Sequence, residues 1–309
     1  MPGTTLPCLT LRLIAPRHWP AWCGVGVVRL LACLPRVILF GLGSSVGTVL
    51  ARVDNSRRRI AARNISLCFP QLDACAQRAL VNANMHELGA MLASFVFGCL
   101  GSDRAIARTP VCIEGLQHLR EAHDRGQGVL LLAGHFAHME TCMRVLARHA
   151  PVGAMYRRLN SPVIDWLVAR ARRHHGLAMF DKDDLRDTIK YLRAGGVLWY
   201  APDQDMRSKD HVFVPFFGIP TATITATHHL VRLGRAQVVP FFCQRTADGR
   251  YVIRLNAPLD AFPSTDATAD TARINQVIEA MVREAPAQYL WAHKRFKTRP
   301  PGLPDVYAD

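Results

Sequence analysis

Val129-Leu130-Leu131-Leu132-Ala133-Gly134-His135-Phe136-Ala137-His138-Met139-Glu140 decides how this chain folds. A short apolar run closed by glycine reads as a buried strand, and Met143, Val145 and Leu146 continue at helical spacing. His135 therefore stands where a strand hands over to a helix. In open α/β sheets ligands bind outside the carboxyl ends of the strands, where the first N–H groups of a helix lack partners. Glu140 follows His135 by five positions, so a tight turn into the helix would let its carboxylate reach back to the imidazole. Such a pair is what activates a hydroxyl: a neutral imidazole takes the proton, and a carboxylate fixes its tautomer. A histidine and an acid at this interval also arise by chance, so the surrounding sequence has to supply the rest.

Working outward, the pattern alternates between strand and helix. Downstream it predicts a helix over 137–149, strand 152–156, helix 162–174, strand 177–180, helix 183–194 and strand 196–201. Asn160-Ser161-Pro162 starts the second of these helices, with proline in the first turn where its missing N–H costs nothing. Strand 212–217, helix 221–234, strand 236–243, a turn at Ala247-Asp248-Gly249, strand 251–256 and helix 268–285 follow, then an aromatic tail from Tyr289 to Phe296. Upstream, Leu80, Val81, Met85, Leu88, Met91 and Leu92 mark one amphipathic helix over 71–100. The fold class is α/β, a single αβα domain with a mixed, mostly parallel sheet. Its extent is 53–309, preceded by an N-terminal region, 1–52.

That N-terminal region is read as a membrane-anchoring helix. Residues 21–50 carry almost no polar side chains except Arg29 and Arg36. The uninterrupted apolar part from Val37 is roughly 21 Å of helix, too short to cross a ~30 Å hydrocarbon core, whereas the segment counted from Ala21 is long enough. Pro35 predicts a kink. A cleaved signal peptide and a buried core helix are the rival readings. Arg52, Arg57, Arg58, Arg59 and Arg63 follow at once, which would hold the rest of the chain on the cytoplasmic side of the membrane.

Among 309 residues, half are apolar, enough to bury a full core, and the formal charge is +14. That excess points to an acidic partner: a phosphorylated lipid, an anionic membrane face or an acidic protein. Nucleic acid fits less well, because there is no zinc-finger spacing, no aromatic ribonucleoprotein motif and no long basic arm. The nine cysteines are scattered and never form C-x-x-C, so they read as reduced, packed thiols.

Other candidate groups fall at strand ends and on one helix. Tyr156 and Arg157 end the second strand, Asp203 and Asp205 follow strand 196–201, and Arg170 and Arg172 lie on helix 162–174. Guanidinium forks suit phosphate or a developing oxyanion. His135, His138 and Glu140 also invite a metal reading, but no further ligand pair stands at recognisable spacing, and the expectation is no metal. The absence of G-x-x-x-x-G-K-[ST] and of G-x-S-x-G argues against a nucleotide hydrolase and a serine hydrolase.

Taken together, several motifs in order resemble the lipid A biosynthesis late acyltransferases, closest to the Kdo2-lipid IVA lauroyl branch. They are the His135-x4-Glu140 spacing, Tyr156-Arg157 with Asn160 and Asp165, Arg170-Ala171-Arg172, Trp199-Tyr200-Ala201-Pro202-Asp203-Gln204-Asp205, Val212-Phe213-Val214-Pro215-Phe216-Phe217-Gly218, and Gln288-Tyr289-Leu290-Trp291-Ala292-His293-Lys294-Arg295-Phe296. The likeness runs from about Arg57 to Pro300; Arg158, where proline is usual, is a departure. The resemblance implies an inner-membrane enzyme with a cytoplasmic acyltransferase domain. It would move a lauroyl or similar chain from the phosphopantetheine thioester of acyl carrier protein, with no bound cofactor, to a hydroxyl of the anionic lipid A precursor in lipopolysaccharide biosynthesis. His135 and Glu140 would be the catalytic pair; Tyr156, Arg157, Arg170, Arg172, Asp203 and Asp205 would bind substrate. Acylation of another glycolipid or amino-acid lipid, and a catalytically silent protein that binds anionic lipid, are the alternatives.

Overall fold

Two neighbouring strands that send the chain in opposite directions create the site. A computed structural model describes residues 9–206 and 210–308. The helices in chain order are α1 (Leu11–Ile14), α2 (Trp19–Ala32), α3 (Arg36–Arg52), α4 (Ser56–Cys68), α5 (Ala74–Leu100), α6 (Asp103–Ala107), α7 (Leu116–Asp124), α8 (Met139–Leu146), α9 (Pro162–His174), α10 (Leu185–Arg193), α11 (Ala226–Gly234) and α12 (Ala267–Glu284). The strands are β1 (Val111–Glu114), β2 (Val129–Leu132), β3 (Val152–Tyr156), β4 (Ala178–Asp181), β5 (Val197–Tyr200), β6 (His211–Phe216), β7 (Ile219–Ile224), β8 (Gln237–Arg245) and β9 (Tyr251–Leu255).

Seven strands form one sheet in the order β1-β9-β8-β2-β5-β3-β4, parallel except where β8 meets β9. From β2 the chain passes through α8 to β3, beyond β5. From β5 it returns through α11 to β8, on the other side of β2. Connections leaving adjacent carboxyl ends in opposite directions open a crevice between them. β2 lies at the centre with all four residues at most 1% exposed, as its unbroken Val-Leu-Leu-Leu run requires of a parallel strand covered on both faces. α5, α8 and α9 pack together on one side, and α11 contacts both α10 and α12 on the other.

Two expectations need correction. Residues 212–217 do not join the main sheet, and the helix expected over 221–234 starts only at Ala226. β6 pairs antiparallel with β7 as a separate hairpin, because Phe217 (φ 52°) and Gly218 (φ 76°) both take the left-handed backbone of a two-residue turn. β1 and α7 carry too few patterned residues to have been read in advance.

The single anchoring helix expected over residues 21–50 is two helices, broken between Ala32 and Arg36, where Pro35 caps α3. Among the described residues no single helix is long and apolar enough to cross a membrane; α3 and α4 pass that test only together, bent by 76°. Leu39, Phe40, Gly43 and Gly47 of α3 are buried, and Gly43 and Gly47 cross α5 at Gly89 with backbone against backbone. The opposite side of α2 and α3 stays bare: Val27, Leu30, Val37, Ile38 and Val49 are each at least half exposed.

Candidate active site

Hydrogen bonds across the β2–β5 pair set the geometry. Ala133 N–H donates to the Tyr200 carbonyl at 3.0 Å, extending the ladder one step past Leu132. The chain then turns, so that His135 and Asp203 meet across the crevice. Asp203 accepts twice from His135: Oδ2 takes the backbone N–H at 2.8 Å and Oδ1 faces the ring Nδ1 at 2.5 Å. Asp203 is almost wholly buried, while about a fifth of the His135 side chain is exposed. Gly134 leaves the room this needs, since a Cβ there would stand 3.1 Å from the Phe136 ring and 3.4 Å from Asp203 Oδ2.

Burial alone would suppress charge on both groups, yet each stabilises the other. Burial would raise the Asp203 pKa, but the imidazole and its hydrogen bonds bring it down to about 2. Burial likewise opposes charge on His135, and the Asp203 carboxylate outweighs it, so the ring stands above its ordinary value.

Glu140 lies elsewhere. No hydrogen bond joins it to His135. Both its oxygens are held by Arg172, Nε at 2.9 Å and Nη2 at 2.7 Å, and the Cys99 thiol donates to Oε1 at 3.3 Å. Burial would raise its pKa, and the Arg172 guanidinium holds it below the usual carboxylate value. The expectation that Glu140 orients the imidazole is therefore corrected: Asp203 occupies that place. The physical reason is the start of α8. The helix begins only at Met139, and Gly98 lets α5 close onto Glu140, which sits beside α9 rather than the β2 turn; a Cβ at Gly98 would come within 2.8 Å of Thr141 N.

The remaining predicted residues divide. Arg172 holds Glu140, apart from the His135–Asp203 pair. Tyr156 is buried, and its phenol oxygen has no hydrogen-bond partner. Arg170 is exposed, with its guanidinium 5.8 Å over the Trp166 ring, and Arg157 is exposed at the end of β3. Asp205 does not approach His135: its carboxylate binds Thr298 N at 2.6 Å and Thr298 Oγ1 at 3.0 Å, and its own N–H donates to His293 Nε2 at 3.0 Å. Among the described residues, no three His, Cys, Asp or Glu side chains gather as a metal site.

Several members of the site were missed by spacing alone. Trp199 packs edge-to-face on His135 with centroids 6.2 Å apart, and its indole N–H has no partner. Because Trp199 pairs with Ala154 in the β3–β5 register, Trp199 and Tyr156 lie on the same face of the sheet. The C-terminal tail closes the other wall. Leu290 N–H donates to His135 O, Ala137 N–H donates to Gln288 O, and Asn64 Nδ2 on α4 holds the carbonyls of Trp291 and His293. Buried Arg295 adds a cation near Asp203 and ties the tail to the β6–β7 hairpin through Ala222 O and Thr223 Oγ1. The aromatic composition of the tail was the available signal, but it reads equally as core.

A partly exposed histidine oriented by a buried aspartate at the switch point of an α/β sheet is an arrangement able to abstract a proton. The sequence profile of the bacterial lipid A biosynthesis acyltransferases matches residues 9–298, and the chain belongs to that family. It is 37% identical over 306 residues to the lipid A biosynthesis lauroyltransferase of Escherichia coli K12, covering 98% of this chain and 100% of that protein. Identity to a lipid A biosynthesis acyltransferase of Haemophilus influenzae is 35%, over 97% of each chain, and to the palmitoleoyltransferase of E. coli K12 it is 34%, over 94% and 95%. Among solved structures, the 1-acyl-sn-glycerophosphate acyltransferase of Thermotoga maritima aligns over 75% of this chain and 98% of that one, at 13% identity and a TM-score of 0.39.

Proposed function

We propose that this acyltransferase moves a fatty acyl chain, lauroyl or similar, from the thioester of acyl carrier protein to a hydroxyl of a lipid A precursor at the cytoplasmic face of the inner membrane. The His135–Asp203 pair carries the reading. With the carboxylate on Nδ1, the neutral ring keeps its proton there and presents the Nε2 lone pair. Nε2 takes the proton of the acceptor hydroxyl as its oxygen attacks the thioester carbonyl. The new C–O bond leaves an oxyanion, which then collapses; the C–S bond breaks, and the thiolate leaves with the proton returned by the imidazolium. No acyl-enzyme forms.

Trp199 Nε1–H and Tyr156 O–H supply donors for the oxyanion. A buried donor left without a partner costs about 1–3 kcal/mol, a penalty that a substrate oxygen would remove. The charge of +14 suits both an acidic carrier protein and a phosphorylated acceptor. The bare apolar side chains of α2 and α3 fit helices lying in the bilayer interface. The relatives named as lauroyl- and palmitoleoyltransferases of lipid A biosynthesis support the substrate class. The test is acyl transfer by the purified chain from acyl carrier protein to the precursor. His135→Ala should lower turnover on the order of 10²–10⁴-fold, and unchanged turnover would end the proposal.

A further inference from the structure

On the far side of Glu140 the structure holds a cavity of about 1230 Å³, walled by the carboxyl end of α5, by α9 and by Arg29 of α2. Its size exceeds what a small metabolite fills. Its polar wall is basic: Arg29, Arg144, Arg170, Arg173, His174 and His175, with Asp103 the one acid. These groups are not equivalent. Arg144 is committed to Asp103 at 2.7 Å and to the carbonyls of Gly98 and Gly101. His175 Nε2 donates to the Cys99 carbonyl at 2.9 Å, its Nδ1 stands 3.9 Å from Asp103, and burial lowers its pKa. Arg29 and Arg170 are exposed, and neither has a carboxylate within salt-bridge reach among the described residues. The rest of the wall is apolar: Leu9, Leu100, Trp166 and Leu167. Trp166 also packs against Trp22, with ring centroids 5.5 Å apart, which ties α2, carrying Arg29, to α9, carrying Arg170.

We infer that this cavity binds the phosphate of an anionic amphiphile, with Arg29 and Arg170 as its ligands and the Leu100–Trp166–Leu167 wall against its hydrocarbon. Guanidinium forks match phosphate oxygens, and unpaired forks over an apolar wall match a charged head on a greasy body. Arg29 stands on α2 beside the exposed apolar side chains of Val27 and Leu30, so the cavity borders a surface suited to a lipid tail. The cavity also adjoins the Glu140 cluster: Cys99 lines it and donates to Glu140, and α9 supplies both Arg170 to the cavity and Arg172 to Glu140. The inference deepens the proposed function, on which it rests for the acceptor as the source of the phosphate; a phospholipid of the bilayer offers the same chemistry.

The experiment uses the full chain, with Arg29→Ala/Arg170→Ala beside the charge-keeping Arg29→Lys/Arg170→Lys. One arm measures KM and kcat for a lipid A precursor and for the same precursor stripped of phosphate. The other measures flotation with phosphatidylcholine vesicles with and without phosphatidic acid. A rise in KM of about tenfold or more for the phosphorylated acceptor alone, at steady kcat and largely restored by lysine, supports the site with the acceptor as ligand. Lost preference for phosphatidic acid vesicles, with acceptor KM unmoved, supports it with the bilayer as ligand. Alanine variants that match wild type in both arms overturn it. Failure of the wild-type chain to acylate any precursor would instead overturn the proposed function, and the vesicle arm would still decide the cavity.

Discussion

The carboxylate on Nδ1 of His135 belongs to Asp203, 68 residues away, at 2.5 Å. Glu140, five residues away, is clamped by Arg172. The two acids therefore hold different partners, one an imidazole and the other a guanidinium, and substitutions separate them.

Asp203→Asn removes the group that raises the His135 pKa and leaves the burial that lowers it. As a base the ring works only when neutral, so wild-type kcat/KM should rise with pH through a value above the ordinary ~6.5 of histidine. In the variant that limb should move to lower pH, while the plateau falls on the order of 10³–10⁴-fold as the tautomer is lost. The linkage to stability has a definite sign. A raised histidine stabilises the fold below its unfolded value near ~6.5, and that stability fades as pH rises through the folded value. A depressed Asp203 stabilises above ~3.9, and its share is lost as pH falls toward 2. A pH–rate profile with an unmoved limb would remove Asp203 from the relay.

Glu140→Gln strands the Arg172 guanidinium against the Cys99 thiol. Removing one partner of a fully buried pair costs about 3–5 kcal/mol; with a fifth of Arg172 exposed, about 2–4 kcal/mol is expected, read as a lower melting temperature. The acid limb of kcat/KM should stay where it is in wild type. A limb displaced as far as in Asp203→Asn would return Glu140 to the imidazole.

Trp199→Phe keeps an aromatic ring beside His135 and removes the unpartnered N–H together with one ring of the indole. A donor used in the transition state should be felt in kcat, on the order of 10²-fold, with little change in KM and no shift of the pH limb. Unchanged kcat in a well-folded variant would assign the oxyanion to other donors.

How much of this was legible follows from the range of each interaction. His135 at a strand end, Arg172 on its helix and most elements of the main sheet are local matters of apolar period, proline and glycine, and the sequence displays them. The His135–Asp203 contact depends on β5 lying next to β2, and strand order is not written in any local pattern. Glu140 misled because nearness in sequence was taken for nearness in space, while α8 starts late enough to turn it toward α9. The β6–β7 hairpin hid behind Phe217, a bulky residue in a left-handed conformation that composition rarely signals. At the N-terminus, the apolar run marked helices and Pro35 marked their break, but nothing local says that one face of α3 packs on α5.

That last contact yields a test of its own. A Cβ at Gly89 would stand 2.2 Å from Gly43 O and 2.4 Å from Gly47 N, backbone atoms with no side chain to swing aside. Gly89→Ala must therefore push α3 off α5, at a cost of about 1–3 kcal/mol for overpacking even though alanine is the better helix former. α3 also carries the exposed Val37, Ile38 and Val49, so its displacement should alter binding to lipid vesicles along with the melting temperature. Gly41→Ala, on the same helix with nothing within 4 Å, is the control and should keep vesicle binding and hold or raise the melting temperature. Equal melting temperatures for the two variants would show that α3 does not lie against α5 at this crossing.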